Sequence, residues 1–580
     1  MLKFLISLTV LSLPFLFTAQ QEIQWKAISP QLFEQAKKEN KIILLNLEAN
    51  WCHWCHVMHD STYSNPKVIA YLAANFITVK ADQDANPELA VRYKDYGWPA
   101  TIFLNADGED VVKRRGYIAP ERFLSLIKSI VADPSPEITD DKKTTNNNDF
   151  ENTSTFISSL EQQFRSSLDY DKGGFNQSQK FIENDTYEYA VFGSTDPLVK
   201  KWILKSIAGA KQLSDPAWGG IYQYSTHNDW KHLHYEKLLS IQARYIRLFV
   251  LNYLYNDDNS SLAYAEKCVD YINRFLLSDN GYYFNAQDAD LTAGEHADFY
   301  FKLSDEERLK LGIPKVDQNT YTHNNAEIAQ SLLVLYQATT NEKYLASASN
   351  ILKLLISNRK SKNGLFQHSD KESTIVSLRD NLAVADALIQ YVKFYPNDAV
   401  YTSELASLLA TINTNFLLPN GSFKSFSGNN GLTPSPIVGE NIRLSRLMNW
   451  YGQTYDTPEY IAIAKNCFSF LSQSGLVDVN YSEPAMLMLN QELKAGPLEH
   501  VFMINGNDDK EMESKMKSLA PFYSNFRIAE KINLPVEKQE YFESFEQNVL
   551  LICTNTACSV PMFTSSDVQQ EMKRMFHFQK

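Results

Sequence analysis

A chain of 580 residues, 44% apolar and 21% charged, is ordinary globular material, long enough for three or four domains or for two if one is a large repeat. Its formal charge of −13 argues against a polyanion-binding surface, so nucleic acid is not an expected partner.

The chain opens Met1-Leu2-Lys3, runs apolar from Phe4 to Phe17 and reaches Thr18-Ala19-Gln20. A basic start, a short hydrophobic stretch and a small residue at its end make residues 1–19 a predicted export signal. The run is short for a membrane span. The expectation is therefore a periplasmic or extracellular protein, not an integral membrane one, with an uncleaved N-terminal anchor as the alternative.

Residues 22–132 alternate between helix and strand. Pro30 to Asn40 predicts an amphipathic helix, and Lys41-Ile-Ile-Leu-Leu-Asn-Leu47 a buried strand that ends in Trp51-Cys52-His53-Trp54-Cys55-His56. A second helix follows this motif. Pro66 to Ala74 predicts a helix with proline in its first turn. Then come a strand to Ala81, a helix from Pro87 to Tyr93, a strand after Pro99, a turn at Asn105-Ala-Asp-Gly108 leading into Val111 to Gly116, and a helix from Glu121 to Val131. This is a complete α/β unit.

Two thiols three positions apart, where a strand hands over to a helix, are placed for dithiol–disulfide chemistry. The unpaired N–H groups and the dipole at the helix start favour a thiolate at Cys52. Two other readings fit the letters. Cys52-His53-Trp54-Cys55-His56 matches a c-type haem attachment, and His56 and His59 could join the thiols around a soft metal. The surroundings favour the dithiol, because Gly97-Trp98-Pro99-Ala100 puts a proline immediately before a strand. With that proline the unit resembles a thioredoxin-fold domain. The resemblance implies that Pro99 is the cis-proline facing the dithiol and that Trp98 and Pro99 line a groove for an extended substrate. Where that family carries a buried aspartate this chain has Asn46, and Glu48 lies on the same strand face, as a proton-transfer group or as an edge carboxylate. A protonated His53 would stabilise the Cys52 thiolate further, Trp54 sits beside it, and His59 reads as a solvated helix residue.

Residues 133–150 are a predicted linker, with prolines at 134 and 136 and an Asn run at 146–148. From 151 to 495 the pattern is helix after helix, for example Leu198 to Leu213, Tyr235 to Tyr255, Ala326 to Ala338, Asp380 to Phe394 and Asn441 to Tyr451. A glycine–aromatic turn recurs between them at Gly173-Gly174-Phe175, Gly219-Gly220-Ile221-Tyr222, Gly281-Tyr282-Tyr283, Gly364-Leu365-Phe366 and Gly421-Ser422-Phe423. Repeated helical hairpins that close on themselves make an all-α (α/α)6 toroid, and an open solenoid is the alternative. Residues 496–580 predict a small α/β tail, with strands at Val501 to Ile504, Asn525 to Ala529 and Val549 to Ile552 and helices at Lys510 to Leu519 and Asp567 to Met575.

This domain order, the Cys-His-Trp-Cys-His motif, Lys180-Phe181, His234-Tyr235-Glu236-Lys237-Leu238, Gln287-Asp288-Ala289-Asp290 and Thr322-His323-Asn324-Asn325 resemble the long thioredoxin-domain proteins related to spermatogenesis-associated protein 20. The second domain of those proteins resembles six-hairpin glycosidases and sugar 2-epimerases. This chain lacks the Trp-Asn-Gly segment usual there near Asn325, and its glycine-rich stretch around Gly219 is shortened.

The resemblance makes His234, Glu236, Asp288 and Asp290 candidates for a carbohydrate site, since glycoside hydrolysis needs two carboxylates across one bond and epimerisation an acid/base pair. The structural alternative is that Glu236 caps a helix while Asp288 and Asp290 organise a turn. His227, His232, His296, His323 and His368 are scattered along the chain and read as surface or satisfied core residues. Cys268 and Cys467 read as buried thiols, and Cys553 and Cys558 as a structural disulfide or a relay pair.

The expected function is thiol–disulfide exchange. Cys52 attacks, Cys55 resolves, no cofactor or metal is bound, and the partners are protein thiols or disulfides plus an electron-transfer partner. The alternative is a carbohydrate-active or carbohydrate-binding toroid with an accessory thioredoxin-like domain.

Overall fold

The computed structural model describes residues 22–137, 153–256, 258–473, 482–495, 499–503, 525–529, 545, 547–553 and 558–575. The expected export signal, the linker from 138 onward and the expected helix at Lys510 to Leu519 lie outside them.

The N-terminal unit runs α1 (Pro30–Glu39), β1 (Ile42–Glu48), α2 (His53–Ser61), α3 (Pro66–Asn75), β2 (Phe76–Asp82), α4 (Pro87–Arg92), β3 (Ala100–Leu104), β4 (Asp110–Arg115) and α5 (Pro120–Ala132). The sheet order is β2-β1-β3-β4, with β1 parallel to β2 and antiparallel to β3. β1 is apolar on both faces because both are covered. Ile43, Leu45 and Leu47 pack with Leu32, Phe33 and Ala36 of α1, whereas Leu44 packs with Met58 of α2, Leu72 of α3 and Phe123 and Ile127 of α5. Four of the unit's five helices, all but α2, begin with proline at the first turn, where the missing N–H costs no hydrogen bond. This is a thioredoxin-like layer structure.

The second region is a helical toroid. Its helices are α6 (Thr153–Ser167), α7 (Asn184–Glu188, continued by a π-turn to Gly193), α8 (Pro197–Ala210), α9 (Leu239–Asn256), α10 (Asn259–Phe275), α11 (Asp305–Leu311), α12 (Thr322–Thr339), α13 (Glu342–Asn358), α14 (Leu378–Phe394), α15 (Ala399–Phe416), α16 (Val438–Thr454), α17 (Pro458–Gln473) and α18 (Glu483–Ala495). Among the described residues α7, α9, α12, α14, α16 and α18 form an inner ring, each packed on the next, and α18 returns to α7. The ring is closed, which excludes the open solenoid. Inner helices such as α12 and α14 are buried nearly all round, whereas outer α10 buries only a stripe at Ser261, Ala265, Cys268, Val269 and Ile272. That contrast is what two layers of helices require.

The glycine–aromatic turns are the joints of this ring. Gly281, Gly364 and Gly421 take left-handed φ values of 86°, 87° and 85°, which lets the chain fold back so that Tyr283, Phe366 and Phe423 pair with the ends of α10, α13 and α15. Each turn is then clamped by an amide of the following inner helix. The N–H groups of Tyr283, Phe366 and Phe423 donate to Oδ1 of Asn325, Asn381 and Asn441 at 2.8, 2.9 and 2.7 Å, and that of Ile221 donates to Oε1 of Gln242 at 2.7 Å.

Short strands interrupt the helices: β5 (Tyr224–Thr226), β6 (His232–His234), β7 (Lys237–Leu238), β8 (Ala286–Gln287), β9 (Val316–Asp317), β10 (Val376–Ser377) and β11 (Phe426–Ser427). The helix expected from Tyr235 starts only at Leu239, because Lys237 and Leu238 pair with Gln287 and Ala286 instead. The tail contributes β12 (Glu499–Met503), β13 (Asn525–Ala529), β14 (Val549–Cys553) and α19 (Ser565–Met575), with sheet order β13-β12-β14. Leu550, Ile552, Met562 and Val568 join the toroid core.

The two main regions share a core. Phe426 and Leu432 of the toroid pack into the α1 face of the thioredoxin-like sheet, and the Phe33 ring lies so close over Gly431 that no Cβ would fit there. Among the described residues, no helix is long and apolar enough to cross a membrane.

Candidate functional site

β1 delivers the chain to Trp51 and Cys52, and Cys52 is the N-cap of α2. Its sulfur accepts the Cys55 N–H at 3.2 Å, a helix-start N–H that it shares with the Cys52 carbonyl at 3.0 Å. Cys52 and Cys55 are joined as a disulfide, and the Trp98–Pro99 peptide is cis. Trp98 packs against the cluster of Ala49, Trp51, Cys52 and Cys55.

That cluster is completed by the toroid. Leu238 of β7 and Ala286 of β8 close over the disulfide, leaving Cys52 only 5% and Cys55 only 4% exposed. The loop after β8 adds polar groups. His53 Nδ1 lies 2.8 and 2.9 Å from the two carboxylate oxygens of Asp290, across 237 residues of sequence. His56 Nδ1 is 3.3 Å from the same carboxylate, and the ring of His296 stacks on His53 with centroids 3.8 Å apart. Trp54 stays 41% exposed, edge-on to His53 and beside Tyr117.

The four residues considered for a carbohydrate site fall beside this dithiol. Asp290 is anchored by its own turn, with Gly294 N–H donating to Oδ2 and Asp290 N–H donating to Asp288 Oδ1. Burial alone would raise its carboxyl, but the hydrogen bonds from His53 and His56 outweigh that and hold it well below the usual range. Asp288 lacks such partners, and burial pushes it up to about 6. Glu236 is 5% exposed, its Oε2 finds no hydrogen-bond partner among the described residues, and burial helped by Asp288 and Asp290 pushes it up to about 8. His234 stacks on Tyr224 and burial depresses its imidazole to about 4. Glu48 is held by Lys80 at 2.6 Å and by Asn46 at 2.8 Å, and Asn46 also accepts from Tyr63. His59 is exposed.

A polar ladder fixes the same interface. Trp51 Nε1 and Asn285 Nδ2 both donate to Asp84 Oδ2, at 2.6 and 2.9 Å, and His368 Nε2 lies 2.6 Å from the Asp84 carbonyl. Asn430 donates to Glu88. His368 and His323 both turn Nδ1 to Asp380. His296, His323 and His368 are therefore not scattered. The first stacks on His53 beside the dithiol, and the other two are buried and share one carboxylate, satisfied core residues as expected. The sets His323/His368/Asp380 and His56/Asp288/Asp290 lie within cation-binding distance of one another, but hydrogen bonds already satisfy Asp380 and Asp290, and we assign a metal to neither.

Two hollows bear on the possible functions, one beside Trp98 and one on the toroid axis. A cleft of about 660 Å³ lies between Gly97, Trp98 and Gly116 on one side and Gln177, Phe181 and Tyr224 of the toroid on the other. The axial cavity, about 190 Å³, is lined by charged pairs such as Arg446 with Glu188 and Arg443 with Asp386, and by none of His234, Glu236, Asp288 or Asp290. Cys268 and Cys467 are free and buried, and burial pushes both thiols up to about 12. Cys558 is disulfide-bonded, and the side chain of Cys553 lies outside the described residues.

No local pattern announces His296 or the Asp290–His53 contact. One signal was available. About 40 residues separate Gly281 from the next inner helix, against about 15 after Gly364, and this longer interval is the one that reaches the dithiol.

The family Thioredox_DsbH, described as protein of unknown function DUF255, matches residues 7–151. Spermatogenesis-associated protein 20 of Mus musculus is 26% identical over 316 residues, covering 47% of this chain and 39% of that protein. The chain thus spans about two fifths of the length of that relative. The disulfide bond reductase DsbH of Chlamydia pneumoniae is 25% identical over 107 residues, 16% of this chain and 64% of that one. Among solved structures, the cellobiose 2-epimerase of Bacillus thermoamylovorans covers 58% of this chain and 100% of its own, at 11% identity and a TM-score of 0.45.

Proposed function

We propose that this chain is an exported thiol–disulfide oxidoreductase acting on protein thiols and disulfides through Cys52 and Cys55. The observation that carries the reading is the Cys52 sulfur at the start of α2, accepting the Cys55 N–H and bonded to the second sulfur. A helix-start N–H on a sulfur stabilises its thiolate, the species that attacks. In the reducing direction the Cys52 thiolate attacks a client disulfide, making a mixed disulfide and releasing one client thiolate. The Cys55 thiolate then attacks Cys52, forming the Cys52–Cys55 bond and releasing the second client thiol. Two electrons pass to the client, and the released thiolates take protons from water. Oxidation of a client dithiol is the same sequence reversed, and a second protein must reset the couple.

Pro99 and Trp98 front the groove for an extended client, and His53, Trp54 and Glu48 are the groups assigned to tuning the couple. The Chlamydia pneumoniae relative is named a disulfide bond reductase, which supports the class. Export is supported by the apolar run from Phe4 to Phe17 behind Lys3.

The test is exchange on a scrambled-disulfide protein and on a disulfide-bonded reporter, with the Cys52→Ser/Cys55→Ser double variant as control. Wild-type turnover that the double variant lacks is the expected result. A wild type that neither reduces, oxidises nor reshuffles either substrate refutes the reading. The second reading, a carbohydrate-binding or carbohydrate-active toroid, draws on the polar axial cavity. Binding of a sugar from a panel, retained by the double variant, would favour it.

A further inference from the structure

We propose that Asp290, carried by the toroid, is a positioning residue of the dithiol centre, acting on Cys52 through His53. The inference deepens the exchange reading above and rests on it.

The geometry is specific. His53 is buried between two toroid groups, with both Asp290 oxygens within 2.9 Å of Nδ1 and the His296 ring stacked at 3.8 Å. An ionised carboxylate can only accept hydrogen bonds, so Nδ1 must carry the hydrogen and the ring is locked in one tautomer and one orientation. The carboxylate is itself fixed, by the Gly294 N–H at 2.8 Å and by His56.

His53 follows Cys52 directly in the chain, at the first position of α2. A positive imidazole there favours the Cys52 thiolate, but a buried cation needs a nearby countercharge to survive desolvation. Asp290 supplies it. The other ionisable groups around this pair are His56 on α2 and His234, Glu236, Asp288 and His296 on the toroid. Without the carboxylate, His53 loses its fixed orientation and the anion that faces it. The reduced form, in which the thiolate exists, then loses more than the disulfide form does.

The measurement is the equilibrium of the full-length protein with glutathione: reduced enzyme plus one oxidised glutathione gives disulfide enzyme plus two reduced glutathiones. Asp290→Asn is expected to raise that constant about tenfold, which makes the couple about 30 mV more reducing. The effect runs through His53, so Asp290→Asn added to His53→Gln is expected to change the constant by less than twofold. Asp290→Glu, which keeps the charge, is expected to remain within about threefold of wild type. A shift below twofold in the single variant overturns the inference. So does a full tenfold shift that persists in the His53→Gln background, since it would mean a general structural effect. If Asp290→Asn does not fold, Asp290→Glu and His53→Gln decide between them. His53→Gln must move the constant in the predicted direction while Asp290→Glu does not, and any other pair of results refutes the inference. A wild type that never equilibrates with glutathione refutes the exchange reading itself. A wild type that equilibrates while Asp290→Asn leaves the constant unmoved refutes only the role of Asp290.

Discussion

Glu236→Gln should make the protein more stable in alkali while leaving it unchanged in mild acid. The Glu236 carboxyl is buried against Asp288 and Asp290, one oxygen has no partner among the described residues, and its titration is pushed up to about 8 from 4.5. Since the folded state holds this proton more tightly than the unfolded state, the associated stability is complete below about pH 4.5 and is lost as the pH rises through about 8. At about 1.4 kcal/mol per pH unit, the gap amounts to roughly 5 kcal/mol, an upper figure because water penetration softens burial. Glutamine has nearly the shape of the protonated acid and never ionises. Unfolding of a toroid of this size has an entropy of roughly 0.7 kcal/mol per degree, so the full difference corresponds to about 7 °C. The assay is thermal unfolding of wild type and variant from pH 4.5 to 9. The expected result is equal midpoints at the acid end and a variant about 5 °C or more higher at pH 9. Asp288, pushed up to about 6, titrates in both proteins and cancels to first order in the difference. A midpoint difference that stays constant across this range refutes the assignment of Glu236 as a buried, proton-bearing acid.

Two further outcomes follow from the packing. Asp215 accepts from Lys237 at 2.6 Å and from both Arg308 nitrogens at 2.7 and 3.1 Å, all three side chains being buried. Asp215→Ala strands two cations and should cost at least about 3–5 kcal/mol, seen as a lower denaturant midpoint; a loss under about 1 kcal/mol would contradict the burial of the trio. Asn381→Ala removes the clamp on the Gly364 turn, leaving the Phe366 N–H without its acceptor, and should cost about 1–3 kcal/mol with faster amide exchange at Phe366. Unchanged exchange there would show that the amide is not what holds the turn.

What could be read from the chain beforehand was whatever depends on near neighbours in sequence. The apolar run Ile42–Leu47 is buried on both faces because it is the inner strand β1, and the thiols that follow sit where a strand-to-helix change had to put them. The same holds for Pro99 before β3, for the proline-led helices and for the recurring glycine–aromatic turns. Misreading began where a distant partner decides the local state. Tyr235 to Leu238 has helical spacing, but Lys237 and Leu238 are drawn into β7 by β8, which lies nearly fifty residues further on. Asp288 and Asp290 do organise a turn, one of the two roles their spacing allows, and the contact that sets Asp290 apart comes from far along the chain. Nothing local says that His53 and His56 of the dithiol helix lie against them.

The placement of Asp290 alters what the thioredoxin-like unit can be in isolation. Coulomb interactions between charges inside a protein fall off with distance and with every water that intervenes, so a carboxylate matters to a thiolate only when it is close and dry. Here proximity and dryness come from the same packing. Leu238 and Ala286 cover the sulfurs, and the chain continuing from Ala286 carries Asp290 to His53. A fragment ending before the toroid would keep Cys52 at the start of α2, but it would expose the disulfide and leave His53 without its carboxylate. The His53–Asp290 pair therefore exists only while the toroid is docked, and anything that pries Leu432 and Phe426 away from the α1 face also strips the dithiol of its wall. On the exchange reading, a client that needs that wall moved would meet a redox couple without the His53–Asp290 contact.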